Sequence, residues 1–131
     1  MSFVSIAVLM AVTDTAREPV IENIDTSIRV AVLNGCGRTG LAGMFAEKLR
    51  NEGFDVVNGM GGNADSFDFD VSVVVDRKSG APKKAETVAR VLGIGHVLLQ
   101  RSDDPYLIED VVVILGRDWH TLLTSKEVSA D

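Results

Sequence analysis

The sequence predicts an α/β domain: a sandwich with a mixed sheet of about five strands and two main helices, in βαβ–βαβ–β order. Three observations predict it. Runs rich in β-branched residues recur at Ile28–Leu33, Val71–Val75 and Val111–Leu115. Two stretches between them carry apolar residues at helical spacing. Each of those stretches stops at a glycine followed by an apolar residue, Gly53-Phe54 and Gly93-Ile94, the order that closes a helix in a left-handed turn.

Ile28–Leu33 (IRVAVL) reads as the first strand and Asn34–Thr39 (NGCGRT) as a glycine-punctuated loop. In Gly40–Glu52 the residues Leu41, Ala42, Phe45, Ala46 and Leu49 fall on one helical stripe. Asp55–Val57 opens a second strand, and Asn58–Phe69, with Gly59, Gly61 and Gly62, reads as a surface loop. Val71–Val75 is the third strand and Arg77–Pro82 a turn, with Pro82 in the first helical turn, where its missing N–H is harmless. Ala85, Val88, Ala89 and Leu92 form the second stripe, followed by a strand at His96–Leu99 and a turn at Ser102–Tyr106. Val111–Leu115 is an unbroken apolar run bounded by charge, as in a central strand buried on both faces. A last helical turn is expected from Trp119. Spacing leaves open whether the helices share one sheet face or flank both. The continuous valine runs favour partial cover of the second face, for which the N-terminal segment is a candidate.

Length and charge narrow the function. A chain of 131 residues suits one domain. Its net charge of −6 repels phosphate backbones and disfavours nucleic acid as a partner. The single cysteine, Cys36, excludes an internal disulfide and any multi-cysteine zinc site. With only His96 and His120 besides, no metal or other cofactor is expected.

Residues 1–27 form an apolar N-terminal segment and a linker, 28–118 the domain, and 119–131 a tail. Phe3–Val12 (FVSIAVLMAV) is far short of the roughly 20 residues that span a bilayer. Three readings stand open: the end of a membrane anchor that starts upstream, a short signal segment, or an element packed on the domain. Thr13–Ser27, polar and with Pro19, has the composition of a tether.

Gly35-Cys36-Gly37-Arg38-Thr39-Gly40 matches G-x-G-x-x-G between a strand and a helix, the setting of a dinucleotide fingerprint. The acid expected at the end of the second strand is missing: Val57, Asn58 and Gly59 stand there. A tight βα turn explains the glycines equally well. Cys36 lies near the helix start, but nothing in the sequence places either histidine beside it as a base. Asp65, Asp68, Asp70 and Asp76 lack the spacing of a calcium loop and read as a solvated face. Arg117-Asp118 is either a local ion pair or part of a binding edge.

Val30, Val32, Leu33, Asn34 and Gly35, then Gly37, Gly40, Leu41 and Ala42, then Leu49, Gly53, Phe54 and Val56 together resemble the C-terminal domain of the LytR/CpsA/Psr envelope family. Asn63, the Val71–Val75 strand, the alanine-rich second helix and Ile114-Leu115-Gly116-x-Asp118 extend the resemblance over about Ile28 to Asp118. Cys36 stands where a small hydroxyl residue is expected. The resemblance implies a stand-alone, non-catalytic accessory module, since the family's glycopolymer transfer belongs to a separate and much larger catalytic domain. It implies a place outside the cytoplasm, anchored to the cytoplasmic membrane, with a cell-wall polymer or an envelope protein as partner. Candidate ligand-binding residues are Asn34, Gly35, Gly37, Arg38, Gly40 and Asp118, with no catalytic residue and no metal ligand. The alternative is a cytoplasmic nucleotide or phosphometabolite binder using Gly35–Gly40, and last a thiol enzyme built on Cys36. The oligomeric state is not legible from the sequence.

Overall fold

In the computed structural model, residues 25–78 and 82–123 are described. The readings of Phe3–Val12, of most of the linker and of the end of the tail lie outside them. Strand β1 (Arg29–Asn34) leads through the glycine loop to helix α1 (Leu41–Asn51) and back to β2 (Asp55–Val56). A short β3 (Gly62–Asn63) follows, then β4 (Val73–Asp76), α2 (Lys83–Leu92), β5 (Val97–Leu99) and β6 (Val111–Leu115). A 3-10 helix, Arg117–Leu123, closes the described chain.

The sheet order is β2-β1-β6-β4-β5, with β3 also on β1. β1 runs parallel to β2, β3 and β6, β4 runs antiparallel to β6, and β5 runs parallel to β4. The sheet is therefore mixed, and β6 is its central strand, buried as its apolar run predicts except at the half-buried Ile114. Pro82 stands one residue before α2, outside its first turn.

Both described α-helices lie on one face. Leu41, Phe45 and Leu49 of α1 and Ala85, Val88 and Leu92 of α2 share one core with Val30, Val32, Val74, Val111, Val113 and Leu115. Full burial of the Val, Leu and Phe side chains contributes about 1.5–3 kcal/mol each. Alternate strand residues point the other way, and Ala31, Val73, Val75 and Val112 form a second apolar layer with Leu33, Val57, Phe69 and Ile114 at its margins.

The helix ends follow from single residues. Gly53, at φ 101°, lets its N–H reach the Arg50 carbonyl and lets Phe54 N–H reach that of Leu49, a Schellman closure with Phe54 as its apolar plug. At the start of α2 the preceding Pro82 has no capping side chain. A carboxylate from β4 takes that role: Asp76 Oδ2 accepts from Ala85 N–H at 3.2 Å and Oδ1 from Lys78 N–H. Asp76 is fully buried, so it leaves the solvated acidic face to which the sequence assigned it. Asp65, Asp68 and Asp70 are exposed as expected.

The sixth strand is the main departure from the sequence reading, which placed Gly62–Asn63 in a surface loop. β2 and β3 share one edge of β1, and the chain leaves that edge between them. Asn58 fills the gap: its Nδ2 donates to Val32 O at 2.8 Å, and its Oδ1 accepts from Val32 N–H at 3.1 Å. A side-chain amide thus stands where a strand's peptide group would.

Candidate functional site

The glycine loop sits where β1 and β6 end and β4 begins. Asn34, the last residue of β1, is buried and organises the loop. Its Oδ1 accepts from Cys36 N–H at 3.1 Å and Gly37 N–H at 2.9 Å, and its Nδ2 donates to Arg38 O at 2.6 Å. Gly35 N–H donates to Leu115 O at 2.8 Å, and Gly35 O accepts from Phe69 N–H at 3.0 Å. The N–H groups of Gly35, Cys36 and Gly37 thus point into the protein, where a phosphate cradle would present them to a ligand.

The glycines have packing reasons. A Cβ on Gly35 would stand 2.8 Å from Ile114 Cγ2 and 2.9 Å from the Phe69 ring. Gly37 has φ 81°, and a Cβ on it would stand 3.2 Å from the Phe67 ring. These are the demands of a tight turn.

Arg38 and Asp118 go different ways. The Arg38 guanidinium lies over the Trp119 ring, 4.7 Å from its centre, a cation–π contact that ties the loop to the 3-10 helix. Asp118 Oδ1 accepts from both Ser72 N–H (2.9 Å) and Ser72 Oγ–H (2.7 Å), while Ser72 Oγ accepts from Gly116 N–H. Arg117 does not pair with its neighbour. It reaches Asp70 at 2.7 Å and Asp68 at 3.8 Å. The structure therefore gathers Asn34, Gly35, Gly37, Arg38 and Gly40 in one loop, and joins Asp118 to the start of β4.

Cys36 is half-buried and packs against the helix-side core. His96 precedes β5, three strands from β1 in the sheet order, or roughly 14 Å at strand spacing. His120 meets Trp119 edge-on at 5.8 Å. No group of metal-ligating side chains occurs among the described residues.

A groove of about 420 Å³ opens on the sheet face opposite the two described α-helices. Ala31, Leu33, Val75, Val112 and Ile114 line it, with Phe69. Asn58, Asp65, Arg77, Gln100 and Glu109 line it as well. Arg77 is held in place by a bond from Nε to Gln100 O at 3.0 Å. This concavity combines an apolar floor with a few polar groups, the usual make-up of a binding site. The sequence reading missed it. Its signal was present in the valine runs, which are apolar at both alternations and so supply a second apolar face.

Residues 27–119 match the family model described as LytR cell envelope-related transcriptional attenuator. No curated protein matches the chain. Among solved structures, the chain is similar to the soluble domain of a conserved hypothetical secreted protein from Mycobacterium marinum. The identity is 19% and the TM-score 0.51, over 76% of this chain and 68% of that one; this likeness concerns the fold. No helix among the described residues is long and apolar enough to cross a membrane. With the family model matched from the turn before β1 into the 3-10 helix, the chain belongs to the LytR cell envelope-related transcriptional attenuator family.

Proposed function

We propose that the chain is a non-catalytic accessory module of the cell envelope that binds cell-wall polymer, working outside the cytoplasm from the cytoplasmic membrane. The observation that carries this reading is the groove on the sheet face opposite the two described α-helices. Its floor of Ala31, Leu33, Val112 and Ile114 suits the apolar faces of sugar rings, and its polar groups, Asp65, Arg77 and Glu109, suit hydroxyls, amides and carboxylates. The inward bonding of Gly35, Cys36 and Gly37 supports it further, because it weakens the nucleotide alternative. The acidic charge of −6 speaks against a direct role on nucleic acid.

Retention of the protein on purified wall sacculi tests the reading. Leu33→Glu and Asp65→Ala should each lower retention about tenfold, the loss of roughly 1.4 kcal/mol of binding. Arg38→Ala should leave it unchanged. Retention that survives both groove substitutions, or micromolar binding of ATP, GTP or NAD in calorimetry, would overturn the reading. An envelope protein in place of the polymer is the second reading, and it uses the same groove.

A further inference from the structure

The two sheet edges are built differently. The β2/β3 edge is interrupted: each strand has two residues, and the chain leaves the sheet between them at Gly59–Gly61. Such breaks protect an edge from pairing with another chain. The β5 edge, three residues long, is unbroken. No described strand pairs beyond it, it contains no proline or charge, and Leu98 and Leu99 are 56% and 46% exposed.

The β4–β5 register fixes which backbone groups face outward. Val74 N–H donates to His96 O, and Gln100 N–H donates to Asp76 O. Even-numbered residues of β5 therefore bond inward, and the N–H and C=O groups of Val97 and Leu99 face away from the sheet. Val97 packs on the helix side, so alternation puts Leu99 on that side and Leu98 on the groove side.

We propose that β5 is a self-association edge, pairing antiparallel with β5 of a second copy about a two-fold axis at Leu98. In this register Val97 of one copy and Leu99 of the other form reciprocal hydrogen-bonded pairs, satisfying every outward group of the strand. Leu98 meets its own symmetry mate in the non-hydrogen-bonded position, where Cβ atoms come closest. His96 faces Gln100, and Gly95 faces Arg101, so no like charges oppose each other across the register. A two-fold contact of one patch with itself is the commonest closed assembly.

Cysteine cross-linking of the full chain in mild detergent tests this, in a Cys36→Ser background that removes the one native thiol. Leu98→Cys should oxidise to a disulfide dimer, since a non-hydrogen-bonded pair sets Cα atoms about 4.5 Å apart, within disulfide reach. Ile108→Cys, at a site also 56% exposed, should stay monomeric under the same oxidant. Leu99→Pro removes an outward N–H without touching the β4 ladder. It should abolish the dimer seen by sedimentation equilibrium while the circular dichroism spectrum is retained, and Leu98→Lys should do the same. A monomer at all concentrations, equal cross-linking of Ile108→Cys and Leu98→Cys, or a dimer that survives both Leu99→Pro and Leu98→Lys would overturn the proposal.

Discussion

Asn58 pairs with both backbone groups of Val32, donating to its carbonyl at 2.8 Å and accepting from its N–H at 3.1 Å. One side chain thereby holds the edge of β1 together where the backbone of the neighbouring strand has turned away. Arg50 supports the same turn from α1, donating to Val56 O and Gly59 O.

Asn58→Ala should therefore cost about 2–3 kcal/mol, because it strands a donor and an acceptor on a central residue of β1. Asn58→Asp should also destabilise, since a carboxylate would face the Val32 carbonyl. Urea denaturation measures both. A change below about 0.5 kcal/mol in Asn58→Ala would show that water replaces the amide without loss.

Asn34 should matter as much. Asn34→Ala removes the acceptor for Cys36 and Gly37 and the donor to Arg38, and should cost about 2–3 kcal/mol. Cys36→Ser, by contrast, should change stability by less than about 1 kcal/mol, as the half-buried thiol makes way for a group close in size. Thermal unfolding of the two variants side by side separates an organising residue from its neighbour.

Two glycines of one turn give a sharper contrast. Gly59 and Gly61 both have positive φ, 65° and 93°. A Cβ on Gly59 meets nothing within 4 Å, whereas one on Gly61 overlaps Ala42 Cβ and stands 3.2 Å from Val32 O. Gly59→Ala should cost about 1 kcal/mol for its dihedral alone. Gly61→Ala should cost clearly more, by about 1–3 kcal/mol of added overpacking. Equal costs would mean that α1 shifts freely away from the turn.

How far the sequence reached follows from which forces it displays. Periodicity located α1 and α2 and their buried faces, because helix burial repeats along the chain; Leu41, Phe45 and Leu49, and Ala85, Val88 and Leu92, are all buried as read. Gly53-Phe54 marked its closure because that motif is local. β3 was invisible: Gly62-Asn63 has no strand propensity, and it pairs with β1 beyond the gap that Asn58 spans. Asp76 resembled its acidic neighbours in sequence, but its role depends on a helix that starts seven residues later. Asp118 stood in a recognisable motif while its partner, Ser72, lies 46 residues away. The groove depends on which strands become neighbours, information that spacing does not hold.

A buried charge gives a further test. Asp110 is 5% exposed and accepts from Arg29 N–H at 3.0 Å, with Arg29, Lys78 and Lys84 side chains 3.7–3.8 Å from its oxygens. Asp110→Ala strands the Arg29 N–H and removes the shared partner of three partly exposed cations, and should cost about 2 kcal/mol. Lys84→Ala, which removes one partly exposed cation, should cost less than about 1 kcal/mol. The ranking, read from denaturant midpoints, would reverse only if Asp110 were held by something other than this cluster.

The most direct test of the binding account is a titration of isotope-labelled protein with soluble wall fragments, read as backbone amide shifts. The account predicts that saturable shifts gather on Ala31, Leu33, Asp65, Val112 and Ile114, with Gly35, Gly37 and Gly40 little changed. Shifts centred on the Gly35–Gly40 loop, or none at millimolar fragment, would contradict it.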